Sequence, residues 1–295
     1  MSNQPLAEVF GYPIDNFSNE AKRHRRLKLC PFNNKVPSCT KDKANAPLGV
    51  CTVFDQGSVA ITCPIRFRQN WTIAENASQF LFPNGTQWTS LTEVRLNDIN
   101  EKSAGNIDLV LVSYDSAGHL LDFGSLEVQA VYISGNVRNP FEYYLADPEN
   151  RSNFEWRGKP LYPNPDYLSS SRKRLVPQLI YKGGILNAWG KKTAVALHKN
   201  FYNTLPALPE VDQKDSNLAW LIYDLLYSDA QKTYSLELER VIYTQFQPAL
   251  DRVTLPEPGP IDVFIELLQD KLDEKLDESN PPDAPTLTDG IDLPL

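Results

Sequence analysis

The sequence lacks several features that would assign it to other classes of protein. It has no apolar run that approaches the length of a membrane-spanning helix. Its first residues, MSNQPLAEVFGYPIDNF, lack the basic start and apolar core of a secretory signal peptide. We therefore expect a cytoplasmic protein with no membrane partner, in a compartment where disulfides rarely persist. The chain has only three histidines, which are far apart and match no metal-binding spacing.

Basic residues are also fewer than acidic residues. The chain has 29 Lys and Arg residues against 37 Asp and Glu residues, for a net charge of −8, and 41% of its residues are hydrophobic. This composition indicates a globular protein with a large core. The acidic balance does not point to nucleic acid, although a local basic face can exist on an acidic protein. Basic runs occur at 22–28 (KRHRRLK) and 171–174 (SRKR), and a solvated surface is the ordinary interpretation of each.

The cysteines are few and lie in one short, turn-rich stretch. Their spacing is C-x8-C-x11-C-x11-C, and they are Cys30, Cys39, Cys51 and Cys63. The expected compartment disfavours disulfides, and unrelated core thiols would be scattered along the chain. A structural metal site is the third interpretation, because four thiolates form a tetrahedral cage for zinc or iron. The spacing differs from paired CxxC motifs, but a proline or glycine lies near each cysteine, as a loop around a metal requires.

The middle of the chain alternates like β-strands at 91–96, 107–114 and 126–133, with turn residues at 115–125 between the last two. We predict a β-hairpin or meander there, with four polar residues interrupting the strands: Glu93, Asp108, Glu127 and Gln129. An Asp on one strand followed by Glu-x-polar on the next is the arrangement of PD-(D/E)xK nucleases, where two carboxylates bind a divalent cation that activates water. Acidic residues on the exposed face of an antiparallel sheet are the alternative, and the pattern by itself favours that alternative.

Several short motifs together resemble the NotI-type restriction endonuclease family. FGYP lies near the N-terminus, CPF, SCTK, GVC and CPIR follow in the order of that family's iron-binding cysteine segment, and LEVQ (126–129) is similar to its Leu-Glu-Ile-Gln. The resemblance covers most of residues 8–250. It implies that Asp108 is the strand-borne catalytic aspartate and Glu93 an additional active-site glutamate. It also implies that Gln129 stands where most related nucleases have lysine.

The resemblance implies the following fold, activity and partners. The fold is α+β (α/β), with a PD-(D/E)xK core and a small four-cysteine metal-binding module. The activity is that of a Type II site-specific endonuclease that hydrolyses a palindromic, GC-rich duplex DNA target as a homodimer. Mg²⁺ would bind Asp108 and Glu127, and Fe or Zn would bind the four cysteines. A cognate DNA methyltransferase would belong to the same system without being a stable subunit. Two alternatives stay open: a DNA-binding or defence-accessory protein that has lost cleavage, and a metal-stabilised interaction module with no role on DNA.

We predict three regions along the chain. Residues 1–68 contain a basic segment and the metal module, residues 69–253 the endonuclease core, and residues 254–295 an amphipathic helix from Ile261 to Glu278 with a flexible acidic tail. Closing the cysteine loop around one ion would bring its two basic flanks together. We therefore predict that Arg25, Arg26 and Arg66 contact DNA.

Overall fold

The structure, a computed structural model, describes residues 4–33, 35–43 and 45–277. The strands are β1 (Leu6–Val9), β2 (Tyr12–Pro13), β3 (Asp42–Lys43), β4 (Ala46–Pro47), β5 (Val50–Asp55), β6 (Ser58–Ile61), β7 (Trp88–Asn97), β8 (Ser103–Tyr114), β9 (Leu120–Gln129), β10 (Tyr132–Ser134), β11 (Asn164–Asp166), β12 (Thr193–His198), β13 (Leu218–Ser228) and β14 (Thr233–Thr244). The α-helices are α1 (Asn19–Leu27), α2 (Thr72–Leu81), α3 (Arg138–Ala146), α4 (Pro148–Arg151), α5 (Tyr167–Ser170), α6 (Val176–Gln178), α7 (Gly184–Ala188), α8 (Lys199–Tyr202), α9 (Phe246–Thr254) and α10 (Ile261–Asp277).

Short 3₁₀ and π segments complete the helical part of the chain. The 3₁₀ segments are Pro64–Trp71 and Gln213–Asp215. The π segments, Ser171–Leu175 and Leu179–Gly183, alternate with α5, α6 and α7. Residues 167–188 therefore form one continuous helical segment, which we call the π-containing helix. Pro177 contributes to its irregularity, because proline has no N–H to donate to the preceding turn.

A mixed six-stranded sheet is the centre of residues 4–254, in the order β14-β13-β12-β9-β8-β7. Strand β12 is parallel to both β9 and β13, and the outer pairs are antiparallel. All six residues of β12 are buried, as a central parallel strand requires. At the edge, β7 alternates between exposed residues and half-buried ones, apart from the buried Leu96. The mixture of helices and strands confirms the predicted α+β class.

The sheet has an apolar layer on each face. On one face, α2 packs Ile73 and Phe80 in one cluster with Leu126 of β9. On the other face, the π-containing helix packs Leu179 in one cluster with Val195 of β12. Both faces of the central strands are thus covered, and a polar side chain in this part of the sheet must find its partners inside the protein.

The predicted hairpin is confirmed, with shifted bounds. Strands β8 and β9 pair antiparallel. The turn occupies fewer residues than expected, because β9 already begins at Leu120. The single strand predicted at 126–133 is wrong, since β9 ends at Gln129 and β10 begins at Tyr132. Between them the Val131 N–H donates to the carbonyl of Ile61 (2.8 Å), which takes the chain away from the central sheet.

The N-terminal region is built into this architecture. Strands β2, β1, β5 and β6 form a four-stranded sheet. Val59 and Ile61 of β6 belong to the same apolar cluster as α2 and β9. Residues up to Thr254 form one compact unit, so residue 68, the predicted edge of a separate module, lies inside that unit.

Residues from Leu255 onward form a second unit. Its described element is α10, which matches the predicted amphipathic helix up to Asp277. The apolar side chains of α10 are exposed, including Phe264, Leu268 and Leu272. Glu278 and the predicted flexible tail lie outside the described residues. In the part of the chain that the structure describes, no helix is long and apolar enough to cross a membrane.

Candidate active site

The side chains of Glu127 and Gln129 lie on one face of β9, opposite the face used by Leu126 and Val128. Leu126 and Val128 enter the apolar cluster under α2. Glu127 is 4% exposed and Gln129 is fully buried. Alternation along the strand thus forces two polar side chains into the interior, on the side covered by the π-containing helix.

Asp108 lies beside Glu127, at the point where strand pairing between β8 and β9 begins. The first backbone pair is Leu109 with Leu126. One residue earlier, the Asp108 carboxylate accepts a hydrogen bond from the Val128 N–H (Val128 N to Asp108 Oδ2, 2.9 Å). The side chain takes a donor that strand pairing would otherwise use, which fixes this carboxylate next to Glu127.

Glu93 lies on β7 at the register position of Asp108, between the Thr92–Leu109 and Val94–Ile107 pairs. Its side chain is exposed, and its backbone φ is +57°, in the left-handed region that strands and non-glycine residues avoid. Such a conformation costs about 1–3 kcal/mol and is concentrated at functional sites. The structure therefore places Glu93 opposite Asp108 across the strand pair and gives it an unusual backbone.

Two residues of the π-containing helix complete the site, and the sequence analysis did not single them out. Lys182 is 3% exposed, and its Nζ donates to Glu127 Oε2 (2.5 Å) and to the Asn106 carbonyl (2.8 Å). Gln178 Oε1 accepts a hydrogen bond from Gln129 Nε2. The one local signal for Lys182 is a lysine inside the apolar stretch LIYKGGIL.

Electrostatics make Glu127 an unusual carboxyl group. Burial raises the pKa of Glu127 to about 8; the negative charge of Asp108 adds to this shift, and Lys182 opposes it. Glu127 Oε1 and Gln129 Oε1 accept no hydrogen bond from any residue that the structure describes. Buried oxygens without donors, next to a second carboxylate, suit a hard cation such as Mg²⁺, which often takes one or two carboxylates plus water and phosphate oxygens. Asp108 and Glu127 therefore fit this metal as a pair of carboxyl ligands, and among the described residues no third His, Cys, Asp or Glu side chain is arranged with them to hold an ion.

Comparison of the sequence with known families shows to which family the chain belongs. A profile described as "Restriction endonuclease NotI" matches residues 8–236, most of the chain. The chain belongs to the NotI restriction endonuclease family. Membership of the NotI family implies a restriction endonuclease, a hydrolase that cuts DNA. The matched range contains Glu93, Asp108, Glu127, Lys182 and the four cysteines. The curated proteins include no match to this sequence.

The thiols of the four cysteines of this NotI family member influence one another electrostatically. All four are free thiols; Cys30 is half-buried and the other three are buried. Burial raises the pKa of Cys30 to about 11, with smaller contributions from Cys63 and Cys39. Burial also raises the pKa of Cys51, and the charge of the Cys63 thiolate adds to this shift. Within the described ranges, however, no three or more His, Cys, Asp or Glu side chains are arranged to hold a metal ion. The donor chemistry suits zinc or iron, and the described arrangement is not a closed ligand shell.

Two of the three arginines predicted to contact DNA have structural roles instead. Arg25 is 6% exposed, and its two terminal nitrogens donate to the carbonyls of Pro13 and Asn16 (2.6 Å each). Arg66 is fully buried and forms an ion pair with Glu8 (2.9 Å). The prediction of DNA contacts is therefore wrong for Arg25 and Arg66, because their guanidinium groups are enclosed by protein. Arg26 is exposed, and its DNA contact stays a prediction.

Proposed function

We propose that this member of the NotI family is a Type II site-specific endonuclease that hydrolyses phosphodiester bonds in a palindromic, GC-rich duplex DNA target. One observation carries the proposal. Inside a chain of this family, Asp108 lies beside the buried Glu127, whose Oε1 accepts no hydrogen bond from the described residues. A buried carboxyl oxygen without a hydrogen-bond partner is costly unless a cation or donor satisfies it.

We assign Asp108 and Glu127 as the ligands of a catalytic Mg²⁺, in a core of the PD-(D/E)xK type. When bound, such a cation polarises a water molecule and neutralises charge on the phosphate. The protein residues orient this site. The Val128 N–H fixes the Asp108 carboxylate, and Lys182 holds one oxygen of Glu127. Gln129 has no ionisable group, so it orients ligands and does not take a proton.

Glu93 is proposed as an additional acidic residue of the same site. Its register position opposite Asp108 and its exposed side chain support this role. Because Glu93 is on an edge strand, its carboxylate is accessible to solvent and to an incoming phosphate. We expect Glu93→Ala to weaken cleavage without removing it, since the two assigned metal ligands remain.

The expected assembly follows from the symmetry of the DNA. A palindromic site presents two identical half-sites, and a homodimer matches this two-fold symmetry. Arg26 is the exposed arginine assigned to backbone contacts. The protein would act in the cytoplasm, alongside a DNA methyltransferase of the same system that protects the host sites. One structural Fe or Zn ion per chain is part of the proposal, on the donor chemistry of four free thiols.

The test is cleavage of a large phage genome by the purified full-length protein with Mg²⁺, followed by sequencing of the ends. We expect discrete fragments that share one palindromic sequence at the cut. Asp108→Ala and Glu127→Ala should each reduce the cleavage rate by about 1,000-fold or more, equivalent to about 4 kcal/mol of transition-state stabilisation. Both variants should still bind the duplex.

A carboxylate elsewhere on β9 provides the matched control. Asp122 is half-exposed and pairs with Lys191 (2.6 Å), so Asp122→Ala should cut at the wild-type rate. Sequence-specific DNA binding by a wild-type protein that produces no cleaved DNA ends with Mg²⁺ would favour the alternative of a DNA-binding protein that has lost cleavage. Substantial cutting by Asp108→Ala or Glu127→Ala would remove that residue from the assigned role.

A further inference from the structure

The π-containing helix holds two polar side chains of β9 by one end each. Lys182 donates to Glu127 Oε2, and Gln178 accepts from the Gln129 amide. Within the described residues, the remaining oxygen of each strand residue, Oε1, accepts no hydrogen bond. Both contacts thus leave the Oε1 atom of each strand residue without a donor, and the Glu127 carboxyl also lies within hydrogen-bond distance of the Asp108 side chain.

The spacing of the two partners suits this double contact. Gln178 and Lys182 are four residues apart on the π-containing helix, close to one helical turn, so both side chains can reach β9. Glu127 and Gln129 are two residues apart on the strand and therefore lie on one face of it. The π turn at Leu179–Gly183 begins immediately after Gln178 and contains Lys182, and such turns are frequent at functional sites.

Stability alone does not account for a buried lysine at this point. The surroundings of Lys182 on the helix are apolar, with Leu179 and Leu186 both buried. A buried ion pair is often no more stabilising than well-packed apolar residues of similar volume. Lys182 is also held by the Asn106 carbonyl (2.8 Å), so its ammonium group is fixed on the Oε2 side of Glu127. This arrangement orients a carboxylate.

We propose that Lys182, assisted by Gln178, is a positioning residue that fixes the rotation of the Glu127 and Gln129 side chains, so that Glu127 Oε1 would stay available to a divalent cation and Gln129 would stay in place beside it. The inference rests on the proposed function, because it concerns the same metal site. Partners that orient metal ligands typically contribute about 10- to 100-fold to metal affinity. Loss of Lys182 removes the hydrogen bond and the positive charge that hold Glu127 in place, and metal affinity should fall by that factor.

The experiment measures Mn²⁺ binding by calorimetry on the full-length protein without DNA, so that no cleavage is involved. Lys182→Met should bind Mn²⁺ about 10- to 100-fold more weakly than the wild type. Lys182→Arg keeps the charge and the donors, and it should restore most of the affinity. Lys191→Met is the matched control, because Lys191 pairs with a half-exposed carboxylate at the other end of β9, and its Mn²⁺ affinity should equal that of the wild type.

The outcomes separate the two proposals. Binding by Lys182→Met that is as tight as the wild type, or tighter, would overturn the positioning role, since a tighter complex means that Lys182 competes with the cation. If Lys182→Met does not fold, Lys182→Gln carries the same test, with weaker binding expected and unchanged binding contradicting the inference. If the wild type binds no more Mn²⁺ than an Asp108→Asn, Glu127→Gln double variant, the proposed metal site itself is wrong.

Discussion

Replacing Arg66 with methionine is the perturbation whose effect follows most directly from the structure. The Arg66 guanidinium makes four polar contacts: Nε to both oxygens of Glu8 (2.9 and 3.2 Å), Nη1 to Gln69 Oε1 (2.7 Å) and Nη2 to the Tyr234 carbonyl (2.9 Å). It also lies 4.3 Å from the ring centroid of Phe32. One side chain therefore joins β1, the cysteine segment and β14.

The magnitude comes from the Glu8 charge that the substitution would leave behind. Both Glu8 and Arg66 are 0% exposed, so the Arg66→Met variant keeps a buried carboxylate without its counter-ion. Breaking a buried pair in this way costs about 3–5 kcal/mol. That is a large part of the total stability of a folded protein, about 5–15 kcal/mol. Replacing both partners, as Glu8→Leu with Arg66→Met, removes the orphaned charge and should be less destabilising than Arg66→Met alone.

The assay is urea unfolding followed by tryptophan fluorescence. With a slope of about 3 kcal/mol per molar urea, the midpoint for Arg66→Met should fall by about 1 to 1.7 M. Arg26→Met is the control, because Arg26 is exposed and its replacement should change stability by less than about 0.5 kcal/mol. The reasoning would be refuted if Arg66→Met unfolded at the wild-type midpoint and only its affinity for DNA fell.

Three further predictions concern other parts of the molecule. Gly183→Ala would place a Cβ 2.6 Å from the ring of Phe246, so it should destabilise the protein by about 1–3 kcal/mol in thermal unfolding, and an unchanged Tm would contradict this packing. Burial opposes ionisation of Asp224, but the nearby His198 ring (Nε2 to Asp224 Oδ1, 3.4 Å) and a hydrogen bond from Lys199 outweigh it and hold the pKa of Asp224 below its usual range. The resulting stabilisation is present above the unfolded pKa, about 4, and is lost as the pH falls through the lower folded value. We therefore expect Asp224→Asn to be less stable than the wild type by about 1–3 kcal/mol from pH 7 to pH 4. The difference in stability should close only below about pH 4. Elemental analysis should find one Fe or Zn per chain in reduced wild-type protein and much less in Cys51→Ser, whereas metal-free wild type would exclude the proposed cysteine site.

Much of the candidate site could be read from the sequence because it depends on neighbours in the chain. The alternation of LEVQ already places Glu127 and Gln129 on one face of a strand, and the structure has them there. The hairpin that brings Asp108 beside Glu127 needs only two apolar strands and a turn. The motifs that resemble the NotI family are local as well, and the profile match over residues 8–236 confirms that family.

The remaining features are tertiary. Lys182 meets Glu127 across 55 residues of chain, and the contact exists only because the π-containing helix packs on the open face of the sheet. Arg66 looks like a surface charge in a basic flank, yet it is enclosed because β1 places Glu8 beside it. Local periodicity determines which way a side chain faces along its own element, since that depends on backbone geometry over a few residues. Which partner it then meets depends on how distant elements pack. The sequence alone therefore determined the acidic residues of this site, and only the tertiary structure decided which basic side chains are enclosed with them.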